Sequence, residues 1–165
     1  MKPIRMLKHL LLPDWFVRRV FARGDLAAIG EAIAASEKSH RGELRFVVEA
    51  AMPLTSLWRD VTPRARAVDL FSTLRIWDTA ENSGILIYVQ LVEHRVEILA
   101  DRGIAARVPQ GEWDGICREM ETSFRHGRWR DGALQAVTRA GALLTQHFPA
   151  GANNPDELPD QPLML

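Results

Sequence analysis

The sequence is poor in most of the features that announce a chemistry. It has one cysteine, Cys117, so no intramolecular disulfide can form and a reducing compartment, the cytoplasm, is expected. It has no excess of charge: 21 Lys and Arg balance 21 Asp and Glu, which argues against a nucleic-acid binder. No apolar run approaches the ~20 residues that cross a bilayer. Leu10-Leu11-Leu12, ahead of Pro13, is too short for the apolar region of a signal peptide and no small-residue cleavage site follows, so the N-terminus reads as uncleaved. There is no G-x-G-x-x-G, Walker loop, G-x-S-x-G or H-E-x-x-H, which removes the usual nucleotide, serine-hydrolase and zinc readings. His9, His40, His94, His126 and His147 are scattered, and Cys117 lies on an apolar helical stripe that suits core packing better than nucleophilic attack.

What is present is the pattern of one α/β domain. At 165 residues the chain can bury a substantial core without staples. Pro13-Asp14 predicts a helix stopped by Gly24, and Asp25 caps a second with Leu26, Ile29 and Ile33 at helical spacing. Residues 44–50 alternate as a strand with a wetter face at Arg45, Val47 and Glu49. Thr62-Pro63 starts a helix whose apolar stripe, Ala67, Leu70, Phe71 and Leu74, runs through to Trp77. "GILIYVQLV" suits a central strand covered on both faces, Glu93-His94 turns the chain, and "RVEILAD" returns antiparallel. Two further amphipathic helices carry Trp113, Ile116, Met120 and Phe124, then Leu134, Val137, Gly141 and Leu144. Helices around three strands make a layered domain with a small mixed sheet.

Charge and composition divide the chain into a basic helical segment, residues 1–24, a core domain, 25–149, and a flexible tail, 150–165, with three prolines and the acids Asp156, Glu157 and Asp160. In the first segment Trp15, Phe16, Val20 and Phe21 share a helical face flanked by Arg18, Arg19 and Arg23. That face either packs on the domain or lies on a membrane surface. Among five tryptophans, Trp77 and Trp113 read as core, while Trp58 and Trp129 are freer to meet a partner.

Strand ends are where such domains hold ligands. Asp78, Glu81 and Asn82 precede the central strand and Asp101 follows its antiparallel neighbour, so the hairpin brings Asp101 beside Asn82 and Glu81. Three carboxylates and an amide oxygen are the hard ligands that Ca²⁺ or Mg²⁺ prefers. The structural alternative is a polar turn at Asp78-Thr79, a local side-chain bond from Asn82 and a cap from Asp101 at the Gly103 turn.

The stretches "IAASEKSHRGELRFVVEA", "RARAVDLFSTLRIWDTAENSGILIYVQLVEHRVEILADRGI", "WDGICREMETSFRHGRWRDGALQAVTRAGALLTQHFP" and "NPDELPDQP" together resemble the TPM domain family over about residues 32 to 160. The resemblance implies that family's three-layer α/β/α sandwich, Rossmann-like in its layering. It also implies a divalent-cation or phosphatase site at the loops of Asp78, Glu81, Asn82 and Asp101. Family members are linked to weak acid phosphatase activity, to Ca²⁺ binding and to the assembly of membrane protein complexes. Lacking a signal peptide and a C-terminal membrane helix, the chain is similar to a soluble bacterial subgroup that accompanies a membrane-anchored TPM protein and a LemA-type membrane protein. Two readings remain open: an interaction module acting with membrane-linked partners at the inner membrane face, and a metal-assisted phosphomonoester hydrolase in which Arg75 or Arg102 balances the phosphoryl charge.

Overall fold

A computed structural model describes residues 3–11, 15–151 and 157–165. Four strands, β1 (Leu44–Glu49), β2 (Ile85–Gln90), β3 (Arg95–Ala100) and β4 (Leu163–Met164), form one mixed sheet in the order β3-β2-β1-β4. β1 is parallel to both β2 and β4, and β2 is antiparallel to β3 with Ile85 opposite Ala100. Helix α5 (Pro63–Thr73) covers one face through Ala67 and Leu70, packed with Ile76, Val47, Leu86 and Tyr88. The other face meets α3 (Arg23–Glu37), α7 (Gln110–Arg125) and α8 (Trp129–His147) through Ile29, Ile33, Trp113, Met120, Val137 and Leu144. The result is the three-layer α/β/α sandwich. The order β3-β2-β1-β4 coincides with the first part of the doubly wound order, but β3 runs antiparallel and follows β2 by a hairpin rather than a helical crossover, so the Rossmann-like connectivity is not reproduced at that edge.

β2 is buried throughout, as its unbroken apolar run requires. The hairpin turns over four residues, Leu91 to His94, rather than two, and His94 takes φ 51°. Thr62 caps α5 by accepting the Ala65 N–H at 3.2 Å, with Pro63 at the first helical position.

Several expectations need correction. The N-terminal segment is two short helices, α1 (Pro3–Leu11) and α2 (Trp15–Val20), and Gly24 lies inside α3 rather than ending a helix. Pro13 and Asp14, and the side chain of Phe16, lie outside the described residues. Asp25 is not the cap residue of α3: it sits in the first turn, and its carboxylate accepts the Ala22 N–H at 3.0 Å. Of the two readings of the face of Trp15, Val20 and Phe21, packing on the domain holds for Val20 and Phe21, with Phe21 edge-on to Phe46, Phe124 and Trp129, while Trp15 stays exposed. Trp129 is therefore held against the core as well.

β1 has no wet face: every residue from Leu44 to Glu49 is buried, because β4 flanks it and α5 overlies it. The stripe of α5 stops at Thr73. Arg75 turns the chain at φ 56°, Ile76 takes the buried place, and Trp77 is left 48% exposed. The tail from Glu157 onward is held rather than loose: its end joins the sheet, where Leu163 pairs with Val47, and Leu165 exchanges backbone hydrogen bonds with Val48 and Ala50.

Candidate functional site

The hairpin makes the acidic corners neighbours, through backbone first. The Asp101 N–H donates to Gly84 O at 2.8 Å and the Gly103 N–H to Asn82 O at 2.9 Å. Asp101 caps the short helix α6 (Arg102–Ala105), accepting the Arg102 N–H at 2.7 Å. Across the gap the Thr79 hydroxyl accepts the Ser83 N–H at 3.0 Å, holding a tight loop in which Asn82 takes φ 53°. Asparagine tolerates this left-handed region better than most residues.

All four predicted site residues lie on this end of the sheet, each held by the protein itself. Asp78 accepts from Arg75 Nη2 at 2.5 Å. Glu81 pairs with Arg41 Nε at 3.1 Å, and Asn82 Oδ1 accepts from Arg102 Nε at 3.0 Å. Arg75 and Arg102, the residues expected to balance a phosphoryl charge, are thus turned onto their own neighbours. Among the described residues no group of three or more His, Cys, Asp or Glu side chains is gathered closely enough to hold a metal ion. Asp101 Oδ2 is nevertheless buried without a hydrogen-bond partner among the described residues.

Sequence reading missed two contributors to this corner. Arg41 comes from the turn before β1, and Glu157 reaches back from the tail to accept the Ala80 N–H at 3.1 Å. No periodicity announces either contact; the only signal was the acidic, proline-punctuated composition of the tail.

Polar groups elsewhere are buried in matched sets. Glu49, 1% exposed, accepts from Tyr88 Oη at 2.5 Å and from Arg66 Nη2 at 2.7 Å. His40 is held between Ser36 Oγ at 2.7 Å and Gly42 O at 2.9 Å, and burial lowers its pKa. Burial also pushes the Cys117 thiol up to about 12, with Glu97 adding to the effect. Native Cys117 should therefore react with Ellman's reagent at neutral pH at least about a hundredfold more slowly than in denaturant, since the thiolate is the reactive form. Comparable native and denatured rates would show an open site.

A third set pins the tail. Both Glu43 carboxylate oxygens accept tail backbone N–H groups, Glu157 at 3.2 Å and Leu158 at 3.1 Å, while Arg45 donates to Pro159 O and, at 2.6 Å, to Gln161 O. Burial first, and a hydrogen bond with Asp160 second, push the Glu37 carboxyl up from 4.5 to about 9. Folding therefore takes up a proton here, and this contribution to stability is full below about 4.5 and lost as pH rises toward about 9. His40 works in the opposite sense: its contribution is full above 6.5 and lost as pH falls through its lowered folded value. Of these two, only Glu37 slopes the curve above neutrality. The wild-type melting temperature should fall from about pH 7 to about pH 9, by at most ~1.4 kcal/mol of stability per pH unit for one proton. Glu37→Gln should flatten that slope and be the more stable form at pH 9; a parallel slope in both proteins would refute the assignment.

The fold agrees with known proteins. The sequence profile of the TPM domain matches residues 18–143. The NMR structure of BA42 protein from the psychrophilic bacterium Bizionia argentinensis is 28% identical and superimposes with a TM-score of 0.77, covering 88% of this chain and 95% of that one. The N-terminal domain of a P. gingivalis protein shares the fold at 15% identity, with a TM-score of 0.63, covering 85% of this chain and 94% of that one. No curated protein compared with the chain matches it. With the profile spanning most of its length and the sandwich in place, the chain belongs to the TPM domain family.

Proposed function

We propose that the chain is a non-catalytic interaction module that works with membrane-linked partner proteins, a membrane-anchored TPM protein or a LemA-type protein, at the inner face of the membrane. The observation that carries this reading is that each candidate catalytic side chain is already engaged: Asp78 by Arg75, Glu81 by Arg41, Asn82 by Arg102, and Asp101 by the α6 backbone. A hydrolase needs a base free to take a proton, within reach of its nucleophile or water. Large apolar side chains meanwhile face solvent on α4 (Leu54–Trp58), with Leu54 50% and Trp58 69% exposed. Capture from detergent-solubilised native membranes tests the reading: a specific membrane protein should be retained by the wild type and lost with Leu54→Ser and Trp58→Ser together. Retention unchanged by both substitutions would count against it.

One observation favours a second reading, in which the corner binds Ca²⁺ or Mg²⁺ and supports phosphomonoester hydrolysis. The orphaned Asp101 Oδ2 is the kind of hard oxygen a divalent cation satisfies. Asn82 Oδ1 is held by Arg102 Nε, on the residue that follows Asp101, and Glu81 and Asp78 would have to leave Arg41 and Arg75 to join. A cation that binds only the folded chain raises its melting temperature by mass action, and Asp101→Asn would abolish the rise. No rise at millimolar CaCl₂ or MgCl₂ relative to EDTA excludes this reading.

A further inference from the structure

α1 is an amphipathic helix mounted the opposite way round from an ordinary surface helix. Its polar side faces the domain. Arg5 donates to Glu93 Oε1 at 2.7 Å, to Asp60 Oδ1 at 3.0 Å and to Val61 O at 2.5 Å. One turn on, His9 Nδ1 accepts the Met52 N–H at 3.0 Å, which leaves its proton on Nε2, 3.0 Å from Glu93 Oε1. Arg5 and His9, at i and i+4, are thus two pegs on one helical face. The side chains opposite them are Ile4, Leu7, Leu10 and Leu11, which stand in solvent at 72, 55, 57 and 69% exposure. At about 100° per residue they span an arc of about 120°, with exposed Lys8 at its edge. Surface helices bury such an arc; this one is oriented to present it.

The surroundings favour a lipid surface as its occupant. Residues 1–24 carry Lys2, Arg5, Lys8, Arg18, Arg19 and Arg23 against Asp14 alone, although the chain as a whole is neutral. Arg5 is neutralised by Glu93 and Asp60, but Lys8, Arg18, Arg19 and Arg23 are exposed, as is Trp15 at the start of α2. Aliphatic side chains flanked by basic residues and an exposed indole match the interface of an anionic bilayer. A nine-residue helix cannot cross that bilayer. A second copy of the chain fits less well, because four aliphatic side chains fall far short of the ~800 Å² per partner that a stable interface buries.

We propose that α1 is a peripheral membrane-docking helix that lays Ile4, Leu7, Leu10 and Leu11 into the headgroup boundary of an anionic bilayer while Arg5 and His9 keep it fastened to the domain. This adds a lipid contact to the protein contact proposed above and rests on that reading only for the placement at a membrane. Vesicles of pure lipid contain no partner protein, so the two can fail separately.

Co-sedimentation of the full chain with phosphatidylcholine vesicles, with and without phosphatidylglycerol, tests it. The wild type should bind the anionic vesicles at least about tenfold more tightly than the neutral ones, and more weakly as salt rises. Leu7→Asn with Leu11→Asn should cut binding at least about tenfold without lowering the melting temperature, since both leucines are exposed. Arg18→Glu with Arg19→Glu should also weaken it. No binding to anionic vesicles overturns the proposal, as does binding that survives the leucine changes and is lost only with the arginines, which would be adsorption by charge alone. A dimer in sedimentation velocity that Leu7→Asn with Leu11→Asn dissolves would assign the arc to a second copy and equally overturn it.

Discussion

Glu49→Ala should be the most damaging single change in the core, costing about 3–5 kcal/mol. The substitution leaves the Arg66 guanidinium, 2.7 Å away, and the Tyr88 hydroxyl, 2.5 Å away, facing a cavity in place of a carboxylate. Tyr88 is fully buried and cannot turn to water, and burial together with Glu49 already holds its phenol protonated well above the usual range. A buried charge that loses its counter-charge costs more than the pair contributed, which is why removing one member is worse than never having had either. In a protein of this size the loss corresponds to a melting temperature lower by about 10 °C. Glu49→Gln keeps an acceptor for Tyr88 and should cost less than half as much. Urea unfolding monitored by tryptophan fluorescence measures both. A loss under 1 kcal/mol for Glu49→Ala would mean that Arg66 finds solvent and that the network is not what holds α5 against β1.

Gly103→Ala should cost about 3 kcal/mol and also open the acidic corner. A Cβ on residue 103 would lie 2.3 Å from Glu81 O and 2.6 Å from Asn82 O, and both are backbone atoms that cannot move out of the way as a flexible side chain can. The methyl therefore drives the 79–82 loop away from the start of α6, breaking the Gly103 N–H bond to Asn82 O and the Arg102 contact with Asn82 Oδ1. Hydrogen exchange gives the specific readout: the Gly103-position amide should lose protection in the alanine variant while β1 amides keep theirs. Unchanged protection at that amide would show that the two corners do not depend on this close approach.

The elements that were legible in the sequence are those specified by their own residues. Ile85 to Gln90 is apolar without interruption and became a strand covered on both faces, and Thr62-Pro63 carried both a cap and a fixed φ. The hairpin is legible from two strands of matching length, and the same pairing puts Asp101 beside Asn82. What was not legible depends on partners distant in the chain. Glu49 and Arg45 read as the wet face of β1 because Arg66 and the tail carbonyls of Pro159 and Gln161 are invisible to local alternation. β4 is two residues long and its pairing is dictated by the free edge of β1, not by its own propensity. Trp77 followed the helical period on paper, but positive φ at Arg75 ended that period two residues earlier. The arginines at the corner carry the same lesson: oxygen donors can be counted from a sequence, whereas whether they are already paired is a property of the fold.

The proposed role of this TPM domain as a binding module rather than a hydrolase is tested most directly by hydrolysis of p-nitrophenyl phosphate. Wild type and Asp101→Ala would be assayed side by side in millimolar Mg²⁺ or Ca²⁺ and in EDTA. For a binding module, release of p-nitrophenol is the same in all of these, at the level of a heat-unfolded control. Turnover by the wild type that requires the cation and disappears with Asp101→Ala would contradict it and make the corner a catalytic site.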